Sequence, residues 1–294
     1  MDSYDKLIYF HLPGIFKFFN GYVALIQQIV ENPDIVKDNA RIGSIYGSPR
    51  CIWNGGRAVY LDFDKTSLVN IKNYMERHGI PVRFTFTNCL LEEQHVQDTY
   101  GNMLLEIFNT GDNEIICNSE ALENHIRQNY GDSYRYISST TKRILDHDLV
   151  HDELEKDYHL VVLDYAHNKD LDFLQQIEDK SKCEILCNAI CMPHCPKRME
   201  HYQFISKAQL ENGNNHTFEC AGSTPYFWEV KKSNPCFISV EDINNTYIPM
   251  GFENFKLEGR TTHPVDWVEI ILYYLIKEEY KDEVRNKLQL VDFY

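Results

Sequence analysis

The sequence predicts an α/β fold of the (β/α)8 TIM-like barrel type, and three observations support this prediction. Eight short apolar runs rich in Ile, Val, Phe and Tyr recur along the 294 residues. Amphipathic helical stretches separate several of these runs, and such alternation is typical of parallel strands joined by crossovers. The turn after the first run reads His11-Leu12-Pro13-Gly14. It lacks the glycine-rich pattern of an open dinucleotide-binding sheet, so we favour the closed barrel.

The predicted strands and helices follow one another in the order that a barrel requires. The eight strands are predicted at residues 7–10, 42–46, 82–87, 114–117, 134–138, 160–163, 184–186 and 255–257. The clearest helical patterns lie at residues 66–77, 119–129 and 171–180. Ser119 is well placed to cap the second of these helices.

The chain length fits one large barrel, so residues 1–294 are predicted to form a single domain. The region from about residue 193 to residue 254 shows no clear strand or helix pattern. A structureless connection of that length is unusual in a compact domain, so we expect it to have a function. Residues 191–250 are therefore predicted as a metal-binding insertion between the seventh and eighth strands.

Composition and charge exclude several classes of protein. The formal net charge is −15, and an acidic surface repels phosphate backbones, which argues against generic nucleic-acid binding. The first residues lack the basic start and apolar core of a signal peptide, and no stretch reaches the length of a membrane span. We therefore expect a cytoplasmic protein that does not bind membranes. In that compartment the nine cysteines should be reduced thiols or metal ligands.

Four cysteines recur at intervals of four residues near the predicted seventh strand. This spacing would line one face of a helix, but Pro193 and Pro196 prevent a regular helix there. Cys191 and Cys195 consequently lie in a loop beyond the carboxyl end of the strand, where barrel enzymes keep their chemistry. The buried-thiol alternative is favoured for the cysteines that lie in or beside strands, which are Cys89, Cys117, Cys183 and Cys187.

The predicted metal ligands are two pairs of cysteines in the long insertion. Cys191 and Cys195 form the first pair, and Cys220 and Cys236 form the second. Four soft thiolates suit an iron–sulfur cluster or zinc. Zinc prefers two closely spaced pairs, so the wide separation of the second pair favours a [4Fe–4S] cluster and leaves zinc as the alternative.

Two segments resemble the peptidase U32 family and its collagenase-like relatives. They are residues 191–202, which read CMPHCPKRMEHY, and residues 255–260, which read FKLEGR. The second is similar to the Lys-Ile-Glu-Gly-Arg segment on the last barrel strand of the family. The resemblance implies a TIM-like barrel, a four-cysteine [4Fe–4S] cluster, and oxygen-independent hydroxylation or a related group transfer. The first cysteine pair is closer together here than in those relatives.

Residues that directly follow barrel strands are predicted to face the site. Glu258 and Arg260 flank Gly259, so alternation aims both side chains the same way, and they are predicted to transfer protons and to hold a carboxylate or phosphate. A structural ion pair is the alternative for these two residues. The other predicted catalytic residues are Asn88, Asn118 and Asp164, and the wider set of rim residues adds His11, Ser139 and Asn188.

Three hypotheses of function follow from these patterns. The first is an iron–sulfur enzyme that acts on a small molecule or a modified residue at the carboxyl-terminal mouth of the barrel. The second is a non-catalytic binding or scaffold protein stabilised by a metal. The third is a U32-type peptidase or hydrolase, although the sequence contains no Gly-x-Ser-x-Gly nucleophile motif. The sequence carries no signal for an oligomeric state.

Overall fold

The computed structural model describes residues 6–56, 61–211, 217–220 and 226–293. Within them, eight parallel strands form a closed barrel in which each strand pairs with the next and the last pairs with the first. The strands are β1 (Ile8–Pro13), β2 (Ala40–Gly47), β3 (Val82–Phe86), β4 (Glu114–Cys117), β5 (Arg135–Ser138), β6 (Leu160–Val162), β7 (Cys183–Leu186) and β8 (Asn254–Lys256). The predicted barrel is confirmed, and every predicted strand overlaps an observed one.

Helices surround the barrel on the outside. They are α1 (Phe19–Glu31), α2 (Lys65–Arg77), α3 (Thr99–Ile107), α4 (Glu120–Tyr130), α5 (His147–Glu155), α6 (Leu171–Gln176), α7 (Arg198–Leu210), α8 (Phe227–Ser233), α9 (Val240–Asp242), α10 (Ile248–Met250), α11 (Pro264–Tyr274) and α12 (Lys281–Gln289). A π-helical turn, Ile243–Tyr247, joins α9 to α10. As predicted, the Ser119 hydroxyl caps α4 by accepting from the Leu122 N–H at 3.4 Å. Among the described helices, none combines the length and apolarity needed to cross a bilayer.

Short 3-10 turns complete the connections. They are Pro33–Ile35, Glu93–Gln97, Gly131–Ser133, Thr140–Lys142, Tyr165–His167, Lys180–Lys182 and Glu278–Tyr280. The helix predicted at residues 171–180 is shorter than expected. The observed α6 ends at Gln176, and a separate 3-10 turn begins at Lys180.

The connection between β7 and β8 is not irregular throughout, which corrects the prediction for residues 193–254. It contains α7, α8 and the helix that spans 240–250. The α7 helix escaped detection because its sequence carries no apolar stripe. Its buried positions include Arg198, Ser206 and Gln209; the Arg198 guanidinium contacts Asp164, and the Ser206 carbonyl accepts from Asn88. Sequence periodicity detects helices that bury apolar residues, and α7 docks largely through polar ones.

The barrel interior has two chemically different halves. Neighbouring strands on one side contribute a small apolar cluster of Ile116, Ile137, Leu160 and Val162. The other side holds buried charged and polar side chains from β1, β2, β3, β4, β7 and β8, which are His11, Ser44, Arg83, Glu114, Glu184 and Lys256. Buried charges require partners, so the second half must be a connected network.

Candidate functional site

A cavity opens at the carboxyl ends of the strands, where barrel enzymes place their sites. It encloses about 770 Å³ with its open mouth included. The barrel end supplies most of its walls, and α7 supplies a roof. The lining residues that matter for chemistry are Tyr46, Thr85, Thr87, Thr140, Tyr165, Cys191, His201, Tyr202, Lys256, Glu258 and Arg260.

The segment that begins with β8 brings three charged side chains to this cavity, namely Lys256, Glu258 and Arg260. They alternate along the chain, as extended geometry requires for one face. Gly259 lies between the last two with a φ of +152°, a conformation that side chains disfavour. A Cβ atom there would lie 3.2 Å from the Cγ atom of Pro13. The glycine of this segment therefore allows Glu258 and Arg260 to reach the same cavity.

Arg260 is held at the edge of the cavity by two acceptors. Its Nη1 atom donates to the Thr85 hydroxyl at 2.6 Å, and its Nη2 atom donates to the Gly55 carbonyl at 3.4 Å. The guanidinium has five N–H groups, so it can serve several acceptors at once, protein and ligand together. Planar guanidinium groups favour carboxylates and phosphates, which accept two parallel hydrogen bonds.

Lys256 lies deeper in the cavity. Its Nζ atom is 3.1 Å from Oε1 of Glu184 and 4.0 Å from the centroid of the Tyr46 ring. Burial lowers the pKa of Lys256 to about 8, because desolvation and the nearby cations Arg83 and Arg260 outweigh the attraction of Glu184. A small fraction of this amine is therefore neutral near pH 7.

Beneath Lys256, Arg83 connects two buried carboxylates. Its Nε atom contacts Oε2 of Glu114 at 2.6 Å, and its Nη1 atom contacts Oε2 of Glu184. The Nη2 atom of Arg83 lies 2.9 Å from Nδ1 of His11. With Lys256 protonated, two cations balance two anions in this network, so no net charge is buried.

His11 belongs to this network and not to the rim where the sequence placed it. The observed β1 continues to Pro13, so His11 lies inside the strand and its ring contacts Ser44 at 2.8 Å. Burial, followed by the neighbouring Arg83, lowers the pKa of His11 to about 4. The imidazole is therefore neutral at physiological pH. The prediction failed because the first strand extends three residues beyond the apolar run.

The roof is fastened by Arg198, the first residue of α7. Its Nη1 atom lies 2.9 Å from Oδ2 of Asp164, and its Nε atom donates to the Tyr202 hydroxyl at 2.9 Å. The guanidinium also covers the Tyr165 ring at 4.2 Å. Asp164, which the sequence predicts as catalytic, is thus the partner that holds α7 over the cavity.

The predicted asparagines also make positioning contacts. Asn88 donates to the carbonyls of Ile52 at 2.6 Å and Ser206 at 3.0 Å, which attaches α7 to the end of β3. Asn118 donates to the Thr141 hydroxyl at 2.9 Å. Neither belongs to the cavity lining, and a catalytic role for them stays a prediction.

Asn188 fixes the backbone of Glu258 through two hydrogen bonds. Its amide nitrogen donates to the Glu258 carbonyl at 2.9 Å, and its amide oxygen accepts from the Glu258 N–H at 2.7 Å. The Glu258 carboxylate accepts from the Ile190 N–H at 2.8 Å. These three bonds set the direction of the carboxylate in the cavity wall.

Three buried oxygens of the lining residues have no hydrogen-bond partner within the described part of the chain. They are Oγ1 of Thr87, Oγ1 of Thr140 and the hydroxyl of Tyr165. A buried hydroxyl without a partner is costly, so such groups indicate a place for a polar ligand. Sequence reasoning missed these residues. The available signal was the pair Thr85 and Thr87, polar alternating positions at the end of an otherwise aromatic strand.

The predicted cysteine ligands occupy different environments. Cys195 and Cys236 are buried, Cys191 is half-buried, and Cys220 is exposed. Cys191 lines the cavity and packs against a small cluster that contains Cys236. Burial raises the pKa of the Cys236 thiol to about 11. One member of each predicted pair thus reaches the same cluster.

Asn234 ties the two cysteine-containing segments together. Its amide nitrogen donates to the carbonyls of Ala189 at 2.6 Å and Cys191 at 3.0 Å, and its oxygen accepts from the Cys236 N–H at 2.9 Å. These bonds account for the approach of Cys191 to the Cys236 cluster without a metal.

A metal centre is not preformed in the described residues. Among them, no three His, Cys, Asp or Glu side chains are grouped so as to hold an ion. The four predicted cysteine ligands are therefore not gathered around one centre among these residues. Of the cysteines predicted to serve packing, Cys117, Cys183 and Cys187 are buried, and Cys89 is half-buried beside the Ser206 hydroxyl at 3.4 Å.

Comparisons with known proteins agree with this architecture. No family's sequence profile matches the chain. It is 24% identical over 292 residues to the uncharacterized protease MJ1657 of Methanocaldococcus jannaschii, an alignment that covers 95% of this chain and 84% of the relative. The solved structure of the U32 peptidase Mk0906 superposes with a TM-score of 0.53 and 10% sequence identity, covering 88% of this chain and 94% of the other. That likeness shows a shared fold.

The sequence relative is described as a protease and the structural neighbour as a U32 peptidase, which is consistent with the resemblance that the two short motifs carry. Both motifs contribute to the barrel mouth, since Cys191, His201 and Tyr202 come from the first and Lys256, Glu258 and Arg260 from the second.

Proposed function

We propose that this chain is a U32-type enzyme that binds a small, negatively charged polar molecule, or a modified residue of that character, in the barrel-mouth cavity. The observation that carries the proposal is the lining of that cavity. Lys256 and Arg260 supply two cationic groups there, beside three buried hydroxyls that have no hydrogen-bond partner among the described residues. Glu184 already balances Lys256, and Glu258 lines the same cavity, so we expect the anion to bind chiefly through Arg260 and these hydroxyls.

The rest of the lining suits the body of an organic ligand. Ile116, Val162 and Leu186 form an apolar wall, while Tyr165 and Tyr202 supply aromatic surface beneath α7. An anionic group at Arg260 would leave the remainder of the molecule against this wall. The lining therefore favours a carboxylate or phosphate attached to a carbon skeleton over an inorganic ion.

Glu258 is the proton-transfer group of the proposed site. Its carboxylate lines the cavity and is oriented by the Ile190 N–H, and Asn188 holds its backbone. A positioned carboxylate near a bound substrate is suited to general acid–base catalysis. We expect Glu258→Gln to retain ligand binding and to lose most of the turnover.

The experiment that tests the proposal measures ligand-induced stabilisation. A panel of small carboxylates and organic phosphates is screened by thermal shift with wild type, Arg260→Gln and Arg135→Gln. Arg135 is the matched control, because it pairs with Asp112 and does not line the cavity. A ligand at a hundredfold excess over its Kd adds about 2.7 kcal/mol of stability.

We expect that stabilisation in wild type and Arg135→Gln, and its loss in Arg260→Gln. Equal shifts in all three proteins would place the ligand elsewhere. Binding without any turnover in a product screen would favour the non-catalytic binding protein that the sequence left as an alternative.

The predicted [4Fe–4S] cluster is a second proposal, with zinc as its alternative. It is favoured by the approach of Cys191 to the Cys236 cluster, which joins one member of each pair. Because Cys220 is exposed, a four-thiolate centre requires rearrangement of the insertion on metal uptake. Anaerobic purification with iron, sulfide and zinc analysis tests it. Metal loss is expected on replacing Cys191, Cys195, Cys220 or Cys236 by Ala, and retention in Cys117→Ala. If the analysis finds iron, we propose oxygen-independent hydroxylation as the reaction of this protein.

The peptidase alternative is a third candidate and has its own observation. Cys191 and His201 line the same cavity, and a thiol with an imidazole is a residue pair used in nucleophilic hydrolysis. A fluorogenic peptide library, assayed in reducing buffer with wild type and Cys191→Ala, tests this hypothesis. Cleavage that disappears in the variant would support it, and uniform absence of cleavage would reject it.

A further inference from the structure

We propose that Lys256 is a carbonyl-reactive amine that forms an imine with a 2-oxo acid, whose carboxylate binds Arg260. This inference rests on the proposed function, because it uses the same cavity and names the class of its substrate. It rests on the placement of one amine, one carboxylate and one guanidinium around an enclosed space.

The first requirement is that the Lys256 amine has a defined position in the cavity. Lys256 is buried, yet it lines the cavity, so its Nζ atom can be reached only through the site. Contacts with Oε1 of Glu184 and the face of Tyr46 hold the amine in one place. A reactive group that is fixed and accessible only to cavity ligands can select among carbonyl compounds.

The second requirement concerns the protonation state of Lys256, because only a neutral amine attacks a carbonyl. Glu184 is shared between Lys256 and Arg83, so its negative charge is not devoted to the ammonium group. Burial and the cations Arg83 and Arg260 lower the pKa of Lys256 to about 8. About a tenth of the amine is then neutral at pH 7.

A second lysine, Lys37, also has a lowered pKa but lies outside the cavity. Burial lowers the pKa of Lys37 to about 7, below that of Lys256. Its Nζ atom donates to the carbonyls of Tyr273 at 2.6 Å and Tyr274 at 2.8 Å, at the end of α11. Lys37 does not line the cavity, so it caps a helix and has no bound substrate to attack. It is therefore an internal control.

The reaction balances with the groups present and the substrate. The ammonium first releases a proton to solvent, and the neutral nitrogen then attacks the carbonyl carbon to form a C–N bond. The carbonyl oxygen takes up protons and leaves as water, while the C=N bond forms. Both protons of the neutral amine thus end in that water molecule. Glu258 lines the same cavity and can carry a proton between nitrogen and oxygen.

Arg260 defines the substrate class. It lies four residues beyond Lys256 and lines the same cavity, held by Thr85. Both cations lie beside the Tyr46 ring, with Nζ of Lys256 4.0 Å and Cζ of Arg260 5.9 Å from its centroid. A small molecule that contacts both groups carries a carbonyl for the amine and an anionic group for the guanidinium, and a 2-oxo acid combines the two. A simple aldehyde would reach the amine but would offer no carboxylate to the guanidinium.

The test is reductive trapping with pyruvate and sodium cyanoborohydride, followed by peptide mapping of the intact protein. We expect one adduct on Lys256, a labelling rate that rises with pH towards 8, and little adduct on Lys37. Lys256→Arg keeps a cation beside Glu184 and should lose the adduct. Labelling of Lys37 or of surface lysines at a similar rate, with Lys256 unmodified, would overturn the proposal.

A second variant tests the carboxylate anchor. Arg260→Gln should lower pyruvate labelling of Lys256 about tenfold, the usual worth of a charge-assisted hydrogen bond. Labelling by acetaldehyde, which has no carboxylate, should change less than about twofold. Equal losses for the two reagents would overturn the assignment to 2-oxo acids. If pyruvate raises the melting temperature through Arg260 but never labels Lys256, the imine is rejected while the proposed anion site stands.

Discussion

The floor and the roof of the cavity are built in different ways. The floor is the network of Arg83, Glu114, Glu184, His11 and Lys256, in which every charged group comes from a barrel strand. The roof is α7 with its preceding loop, attached through side-chain hydrogen bonds such as those of Arg198 and Asn88. Strand pairing fixes the floor from all sides, whereas the roof rests on a few polar contacts.

This difference indicates which part of the site is rigid and which part can open. A buried charge network loses stability if any partner is removed, because no water can replace it. A polar roof can open locally, and water can then solvate its charges. We therefore expect floor substitutions to act on the whole fold, and roof substitutions to act on α7 and on access to the cavity.

The largest expected effect is that of Arg83→Met. The substitution leaves Glu114 and Glu184 buried without the cation that joins them. We expect a loss of about 3–5 kcal/mol in the free energy of unfolding, measured by urea denaturation. Arg135→Met, on the exposed end of β5, is the control and should cost less than about 1 kcal/mol. A loss of that smaller size for Arg83→Met would show that the floor is not a coupled network.

The next effect is a pH dependence that arises from His11. Its pKa is about 4 in the folded protein, lowered mainly by burial and then by Arg83, against 6.5 in the unfolded chain. The unfolded state therefore binds more protons between these values, so stability falls as pH drops from 6.5 to 4. The contribution reaches about 3 kcal/mol at the acid end. His11→Gln should flatten the unfolding free energy over this window, and an unchanged profile would contradict the assignment.

The sequence predicted the strands of the floor but not its chemistry. Short runs of β-branched and aromatic residues are sufficient to locate β3, β4 and β7. Those runs also contain three charged residues, Arg83, Glu114 and Glu184. A charge inside a buried strand needs a partner from another strand, so these residues could have predicted a buried ion-pair network. Which strand supplies that partner depends on barrel closure and register, and neither is contained in local sequence.

The roof was harder to predict because its contacts are long-range and polar. The motif of residues 191–202 located the right segment, but the role given to Asp164 changed once Arg198 was seen to reach it from α7. Glu258 and Arg260 both line the cavity, which agrees with the alternation expected along an extended segment, and their chemical roles stay predictions. The cysteine ligand set stays a prediction that metal analysis will test.

A smaller effect is expected when the roof contact of Arg198 is removed. Arg198→Met leaves Asp164 without its guanidinium partner, but α7 can separate locally and admit water. We expect a loss of about 1–2 kcal/mol, below that of Arg83→Met. Hydrogen exchange should accelerate in Arg198–Leu210 while β3 and β4 keep their protection. Faster exchange throughout the barrel would show that floor and roof are one cooperative unit.

The smallest effect is predicted for Asn88→Ala, which removes one hydrogen bond between the barrel and α7, to the Ser206 carbonyl, and one to the loop carbonyl of Ile52. The Ser206 carbonyl can be rehydrated when the helix end loosens. We expect a destabilisation of about 1 kcal/mol, together with faster hydrogen exchange around Ser206. Asn118→Ala is the matched control, because it removes one bond, to Thr141, that does not reach α7. If both variants change exchange in α7 equally, Asn88 does not hold the roof. If only Asn88→Ala does, the roof is held by separate polar contacts that can be removed one at a time, unlike the coupled charges of the floor.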